Sequence, residues 1–464
     1  MHQVPLYQKI AEQLRNSIEV GAIPAGSRIA SVRTIGKNYQ VSALTALNAL
    51  RLLEKQRWIE ARPRSGFYVR QRNDADATSP QESNFSGLGA QTATQLSMLG
   101  TPCQVRLDLA NGESDIYPIG RLSILMRQLI YRDPGLLGNH VRGTGYLPLK
   151  QQIIRRAAEY GCMISPNELI ITNGCVESLS LALRAVTRPG DGIAVETPTY
   201  FVILQMLRSL GLRIIEIAQT DQGMNLQELE CALDRREASV VICVANASNP
   251  TGITYSTAHK ERLVRLVKQY RATLIEDDIY GDACFSFQRP VPLRALSDEV
   301  ILCSSFSKTL APGIRVGWIA GAHWSSAITE MKYTSTMGTS IHSQAAIAEF
   351  IRMGAYDVHL RRLRKTLQYR TSQMREAVLH HFPSGTSISS PSGGYVLWVE
   401  LPQGCINTRK LFERARLSSI GIAPGHLFAT DQRFDHCFRL NAGFGWNGEV
   451  EHAIATLASL VRLN

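Results

Sequence analysis

The stretch SSFSKTLAPGIRVGW, residues 304–318, sets one lysine, Lys308, among small hydroxyls and places Arg315 beyond a Pro-Gly turn. A lysine amine is a nucleophile only when unprotonated, and its principal use in that form is a Schiff base with a carbonyl. Ser305 and Arg315 offer a hydroxyl and a guanidinium fork suited to one phosphate group. Taken alone, the stretch also reads as a surface loop with a solvated lysine, so the decision rests on the flanking sequence.

On both sides, short apolar strands alternate with amphipathic segments. GIAVE, LRIIEI, VVICVAN, TLIED, VILCSS and RVGWIAG read as strands, and residues 257–271 read as one of the helices between them. The pattern predicts an α/β body with a mainly parallel sheet covered on both faces. Ligand chemistry in such folds gathers at the carboxyl ends of the strands.

Several polar motifs fall at those ends. ITNGCVESLSLAL runs from a strand through Asn-Gly into a helix, leaving the amides of Gly174, Cys175 and Val176 free to hold a phosphate. ETPTYF offers Tyr200, a ring that suits stacking on a cofactor ring or packing in a core. NASNPTG turns the chain at Asn249, whose amide suits a phenolic oxygen as well as a turn. LIEDDIYGD sets two acids directly after an apolar strand, which is costly without a partner. An aspartate there, Asp277, can keep a pyridine nitrogen protonated, and Tyr280, three residues later, can then bond the ring oxygen. Together with Lys308 and Arg315 these motifs point to pyridoxal 5'-phosphate.

A chain of 464 residues is too long for one ordinary domain and predicts two or three. Its formal charge is +11, of which residues 1–72 carry +8, so a basic head is joined to a nearly neutral body. That asymmetry fits a polyanion-binding module. The nine cysteines are odd in number and never spaced C-x-x-C, which argues for reduced thiols and implies no metal. Lys9, Glu12 and Arg15 interrupt the place of a signal peptide, and no apolar run reaches the ~18 residues of a membrane helix. A soluble, cytoplasmic protein is expected.

In the head, Leu6, Ile10, Leu14 and Ile18 follow a helical period that VGAIPAG ends, and SVRTIGKNY holds a second short helix. Ser42 is the expected N-cap of a third, with Leu44, Leu47 and Leu50 along one face. WIEARPRSGFYV reads as two strands about a turn. Three helices and a hairpin make a winged helix-turn-helix. Residues 42–50 contain no Lys or Arg, so base readout falls to Ser42, Thr45 and Asn48, while Arg33, Lys37, Arg62 and Arg64 are placed to grip phosphates of double-stranded DNA. From Asn73 to Val105 there is likewise no Lys or Arg, and the composition is that of a linker. The expected domains are therefore a head over 1–72, a linker over 73–105 and a body over 106–464.

Residues 5–70 resemble the DNA-binding domain of the GntR family of bacterial transcription regulators, through LYQKIAEQLRNSIEVGAIPAGSRIASVR, VSALTALNALRLLE and RSGFYV. Ala30 replaces a proline usual in that family, and Ala43 stands where an arginine often follows the serine of the third helix. Residues 106–464 resemble the fold type I aminotransferases, with a smaller C-terminal α/β lobe. The resemblance implies that Lys308 is the lysine bound to the cofactor, that Asp277 meets the pyridine nitrogen, and that Asn249 and Tyr280 meet the ring oxygen. It further implies that Tyr200 stacks on the ring, and that Gly174, Cys175, Val176, Ser305 and Arg315 hold the phosphate. Arg439 in FRLNAGFG falls where that family binds an amino acid's carboxylate. A tyrosine usual before GYLPL, which reaches the second subunit's phosphate, is absent, and His140 stands near its place. The whole arrangement is similar to the MocR subfamily of regulators. It implies a homodimeric, pyridoxal-phosphate-dependent transcription regulator sensing an amino compound or the cofactor itself. The alternative is a working aminotransferase with a vestigial DNA-binding head.

Overall fold

The computed structural model describes residues 5–19, 21–62, 65–70, 103–139, 143–402 and 404–462. Arg64, His140 and residues 73–102 of the expected linker lie outside them. The chain divides into two compact units, Met1–Leu88 and Gly89–Asn464, and the division falls within 73–105.

In the first unit, helices Leu6–Glu19 (α1), Val32–Asn38 (α2) and Ala43–Lys55 (α3) precede an antiparallel hairpin, Ile59–Arg62 (β1) and Gly66–Val69 (β2). Ser31 and Ser42 start α2 and α3 by accepting the backbone N–H of Thr34 and Thr45, which satisfies one otherwise orphaned donor at each helix end. The core joins Ile10 and Leu14 of α1, Ile35 of α2, and Leu50 and Leu53 of α3 to Ile59 and Val69 of the hairpin. The packed face of α3 is Ala46, Ala49, Leu50 and Leu53, and Leu44 is 67% exposed. The expected Leu44–Leu47–Leu50 stripe is therefore corrected. A strict three-residue step drifts around the helix, whereas the i, i+3, i+4, i+7 set stays on one side. Truncating Leu53 to alanine removes a fully buried side chain, at a cost of roughly 2–5 kcal/mol.

Among the described residues, the first strand of the second unit is the short Val105–Arg106 (β3). Its main sheet uses Leu169–Thr172 (β4), Gly192–Thr197 (β5), Arg213–Thr220 (β6), Gly223–Met224 (β7), Val240–Cys243 (β8), Thr273–Asp277 (β9), Ile301–Ser305 (β10) and Gly317–Ala320 (β11). Their order is β4-β11-β10-β9-β8-β5-β6-β7. The five central strands β6, β5, β8, β9 and β10 are parallel to their neighbours among themselves, while β11 runs antiparallel to both β10 and β4. Burial on both faces follows the two-residue period of a strand. In β8, Val240 and Ile242 face the cluster of Leu179, Leu183 and Leu204, whereas Val241 and Cys243 face that of Leu229, Leu263 and Val267. The helices carrying those leucines cover the two faces.

A smaller four-stranded antiparallel sheet orders Ser387–Ile388 (β12), Val396–Glu400 (β13), Cys437–Asn441 (β16) and Ala423–Pro424 (β15), while Ile420–Gly421 (β14) pairs with β3. Its core includes Leu397, Val399, Phe438 and Leu440, closed by Leu411 and Leu457 of the helices Thr408–Leu417 and Gly448–Arg462. Among the described residues no helix is long and apolar enough to cross a membrane. All nine cysteines are free, six of them buried.

Candidate functional site

Asp277 ends β9, Lys308 follows β10, and Asn249 and Tyr200 lie beyond the ends of β8 and β5. These carboxyl ends meet at a cavity of about 150 Å³ lined by Tyr200, Asn249, Asp277, Tyr280, Lys308 and Arg315, together with Cys175, Val176 and Ser307. Residues separated by more than a hundred positions thus come together because parallel strands end on one side of the sheet.

The Lys308 amine donates to the backbone oxygen of Ala110 at 2.7 Å. Burial lowers its pKa to about 8, aided by repulsion from Arg439 and opposed by the carboxylate of Asp277. Asp277 is itself buried, and desolvation raises its pKa to about 6. Its Oδ1 accepts the Cys175 thiol and the backbone N–H of Ile279, each at 3.1 Å. Burial first, and the neighbouring carboxylate second, hold that thiol in its protonated, donating form.

Gly174 precedes the helix Cys175–Val186 with φ +109°, a conformation that disfavours a side chain. A Cβ there would fall 2.6 Å from Nη2 of Arg315, which donates to the Asn173 carbonyl at 2.9 Å, while Nη1 donates to Ser307 Oγ at 3.3 Å. Guanidinium, hydroxyl and helix N-terminus therefore converge. Ser305 stands behind this group: its Oγ donates to Val316 O at 3.0 Å and lies 2.9 Å from Ser307 Oγ. The hydroxyl lining the cavity is that of Ser307, which sequence reasoning passed over although it adjoins the lysine.

Arg439 sits on β16, 1% exposed, beside the mutually packed rings of Phe201 and Phe428. Its Nη1 donates to Asn249 Oδ1 at 3.0 Å, and Nη2 donates to the carbonyls of Asp108 at 2.5 Å and Leu109 at 3.2 Å. Among the described residues its Nε has no partner and no carboxylate pairs with it. Burial pulls its pKa down. Asn249 also hydrogen-bonds the Tyr280 hydroxyl. Two further contributors carried no sequence signal: Tyr395, whose hydroxyl donates to the Lys308 carbonyl, and Ala110, which offers only its backbone oxygen.

In the head, Arg33, Lys37 and Asn48 are exposed. Ser42 Oγ lies 2.9 Å from Thr45 Oγ1 and accepts the Thr45 N–H at 3.1 Å, so Ser42 is committed to capping. Arg62 donates to Glu60 at 2.9 Å and lies over the Tyr68 ring, so its charge is already partnered within the hairpin. Residues two apart on one strand share a face, so the opposite charges of Glu60 and Arg62 meet readily.

Comparison with known proteins agrees with both halves. The bacterial regulatory proteins, gntR family, match residues 6–69, and aminotransferase class I and II matches residues 132–457. The uncharacterized HTH-type transcriptional regulator YdcR of Escherichia coli (strain K12) is 34% identical over 98% of this chain and 99% of its own. YjiR, of the same description and organism, is 31% identical over 98% of each chain. A crystal structure of Pyrococcus horikoshii kynurenine aminotransferase, in complex with PMP, superimposes with a TM-score of 0.75 at 25% identity, covering 84% of this chain and 98% of that one. The chain belongs to the class I and II aminotransferase family, in the MocR-type branch whose members join that domain to a GntR helix-turn-helix and are transcription regulators.

Proposed function

We propose that this regulator senses an amino compound, or pyridoxal phosphate itself, through the cavity around Lys308, and that occupancy there changes its binding to double-stranded DNA. The observation that carries the reading is the buried guanidinium of Arg439, without a carboxylate partner among the described residues, beside a buried lysine of lowered pKa. An uncompensated buried charge is costly, and a ligand carboxylate would satisfy it in two parallel hydrogen bonds.

The residues fit pyridoxal phosphate. The space that a Cβ on Gly174 would fill holds the Arg315 fork, and with Ser307 and the first amides of the helix at Cys175 and Val176 it makes a phosphate cradle. Asp277 would keep a proton at the pyridine nitrogen, Asn249 and Tyr280 would bond the phenolic oxygen, and Tyr200 would stack on the ring. Bound there, the cofactor supplies an aldehyde that condenses with amines and an electron-withdrawing ring. Lys308 contributes a neutral amine near pH 8, and Arg439 orients the carboxylate end of an arriving amine.

In the head, Arg33 and Lys37 would grip phosphates while Thr45 and Asn48 face bases, with domain limits of 1–72, 73–105 and 106–464. A homodimer is part of the proposal, supported by the exposure of Ile124, Tyr131 and Leu137 close together in sequence. The second reading, a working aminotransferase, is favoured by the completeness of the same cavity. Full-length protein supplied with pyridoxal phosphate separates them. Visible absorbance that Lys308→Ala abolishes, together with a change in DNA affinity, supports sensing. Multiple turnovers with a keto-acid acceptor and unchanged DNA affinity support the enzyme.

A further inference from the structure

The segment that follows the linker passes against Lys308 and Arg439 before the body's first long helix begins. Its two ends are tied to one residue of β16: Asn441 donates its backbone N–H to Leu107 O at 2.9 Å, and its side-chain amide to Arg106 O at 3.3 Å and Asn111 O at 3.0 Å. Between those ties, three consecutive carbonyls point at the two cations of the site. Asp108 O and Leu109 O accept from Arg439, and Ala110 O accepts from Lys308. The side chain of Asp108 turns back to Arg106 in a two-pronged pair, Nε to Oδ1 at 2.8 Å and Nη2 to Oδ2 at 2.9 Å. Arg106 belongs to β3, the first strand after the linker.

We infer that residues 108–110 are a strap that reads occupancy of the site: Lys308 and Arg439 hold it down, and a bound aldehyde and carboxylate compete it away. The Arg106–Asp108 fork passes the displacement to the strand that continues into the linker. Condensation of a neutral amine with an aldehyde forms a carbon–nitrogen double bond and releases water, which carries off both amine hydrogens. The nitrogen that held Ala110 O then has at most one hydrogen, acquired by protonation. A carboxylate on Arg439 draws on the same hydrogens that Asp108 O and Leu109 O now use. The backbone ends of the strap stay fixed through Asn441, so release acts on three residues and reaches Arg106 through its side-chain fork. This rests on the reading of Lys308 and Arg439 given above. It adds the element that the ligand and the linker share.

The test is hydrogen exchange of the peptide covering Leu107–Gly112 in the full-length protein, stripped of cofactor and then reloaded with pyridoxal phosphate, with loading followed by visible absorbance. Reloading should raise exchange in that peptide at least threefold. Unloaded Lys308→Ala should already exchange at the raised rate. Lys308→Arg, which can donate to the carbonyl but cannot condense, should stay slow with and without pyridoxal phosphate. Equal exchange in loaded and unloaded parent would overturn the strap, as would slow exchange in Lys308→Ala. If absorbance reveals no attachment, the cofactor role of Lys308 fails, and the comparison of Lys308→Ala with the unloaded parent still decides the strap. For the fork, Arg106→Gln should load normally yet lose at least half of the change in DNA affinity that loading produces in the parent. A full change in that variant would remove the fork from the route.

Discussion

Arg315 occupies the space that a side chain on Gly174 would fill: a Cβ there would lie 2.6 Å from its Nη2. The glycine has φ +109° and the arginine itself is left-handed at φ +50°. Both unusual backbones serve one contact, the approach of a guanidinium to the start of the helix Cys175–Val186. Gly174→Ala should therefore displace the fork and strain the turn, by on the order of 1–3 kcal/mol. We expect pyridoxal phosphate affinity to fall roughly tenfold to a hundredfold, from the loss of a charge-assisted contact of about 1.5–3 kcal/mol. Equilibrium dialysis checks this, with far-ultraviolet circular dichroism as the control for folding.

The lowered pKa of Lys308 gives a pH profile. An amine must be neutral to attack, so its attachment to pyridoxal phosphate should speed up with rising pH and level off above about 8. Borohydride trapping followed by mass spectrometry measures the rate. A rate that climbs tenfold per pH unit through about pH 10, near the ordinary lysine value, would contradict the burial of this amine.

The thiol of Cys175 should be inert. Burial and the adjacent Asp277 push its pKa well up, and thiolate is the reactive form. Native protein treated with iodoacetamide should carry label on the exposed Cys231 and none on Cys175, as read by peptide mass spectrometry. Labelling of Cys175 at a rate comparable to Cys231 would mean that the helix end opens in solution.

In the head, capping and reading should separate. Ser42→Ala removes the acceptor at the start of α3 and should cost about 1 kcal/mol of stability, seen as a lowered melting temperature. Arg33→Ala should weaken DNA binding across sequences and reduce the salt dependence by about one counterion. Asn48→Ala should leave stability unchanged and alter sequence preference, as measured by competition between duplexes.

Much of the body was legible because strand ends and chemistry coincide in sequence: Asp277 closes TLIED, and Lys308 follows VILCSS. What was not legible lies in three-dimensional pairing. Apolar alternation carries no direction, so the antiparallel course of β11 has no trace in RVGWIAG. Arg62 counts as a free cation in sequence, yet Glu60 on the same strand partners it. Ser305 and Ser307 are alike as residue types, and only the course of the chain after β10 decides which of them lines the cavity. Ala110 contributes a carbonyl, which every residue has, so its bond to Lys308 has no signature in the side chains.

The most direct test of sensing is the affinity of full-length protein for a DNA duplex from upstream of its own reading frame. It would be measured unloaded, loaded with pyridoxal phosphate, and loaded in the presence of each of a panel of α-amino acids, for the parent and for Arg439→Ala and Arg439→Lys. The account predicts a change of about fivefold to 150-fold in the parent, the range of a coupling of about 1–3 kcal/mol. It also predicts loss of the amino-acid response in Arg439→Ala and partial retention in Arg439→Lys, with both variants still attaching pyridoxal phosphate. One DNA affinity in every state of the parent would contradict the account.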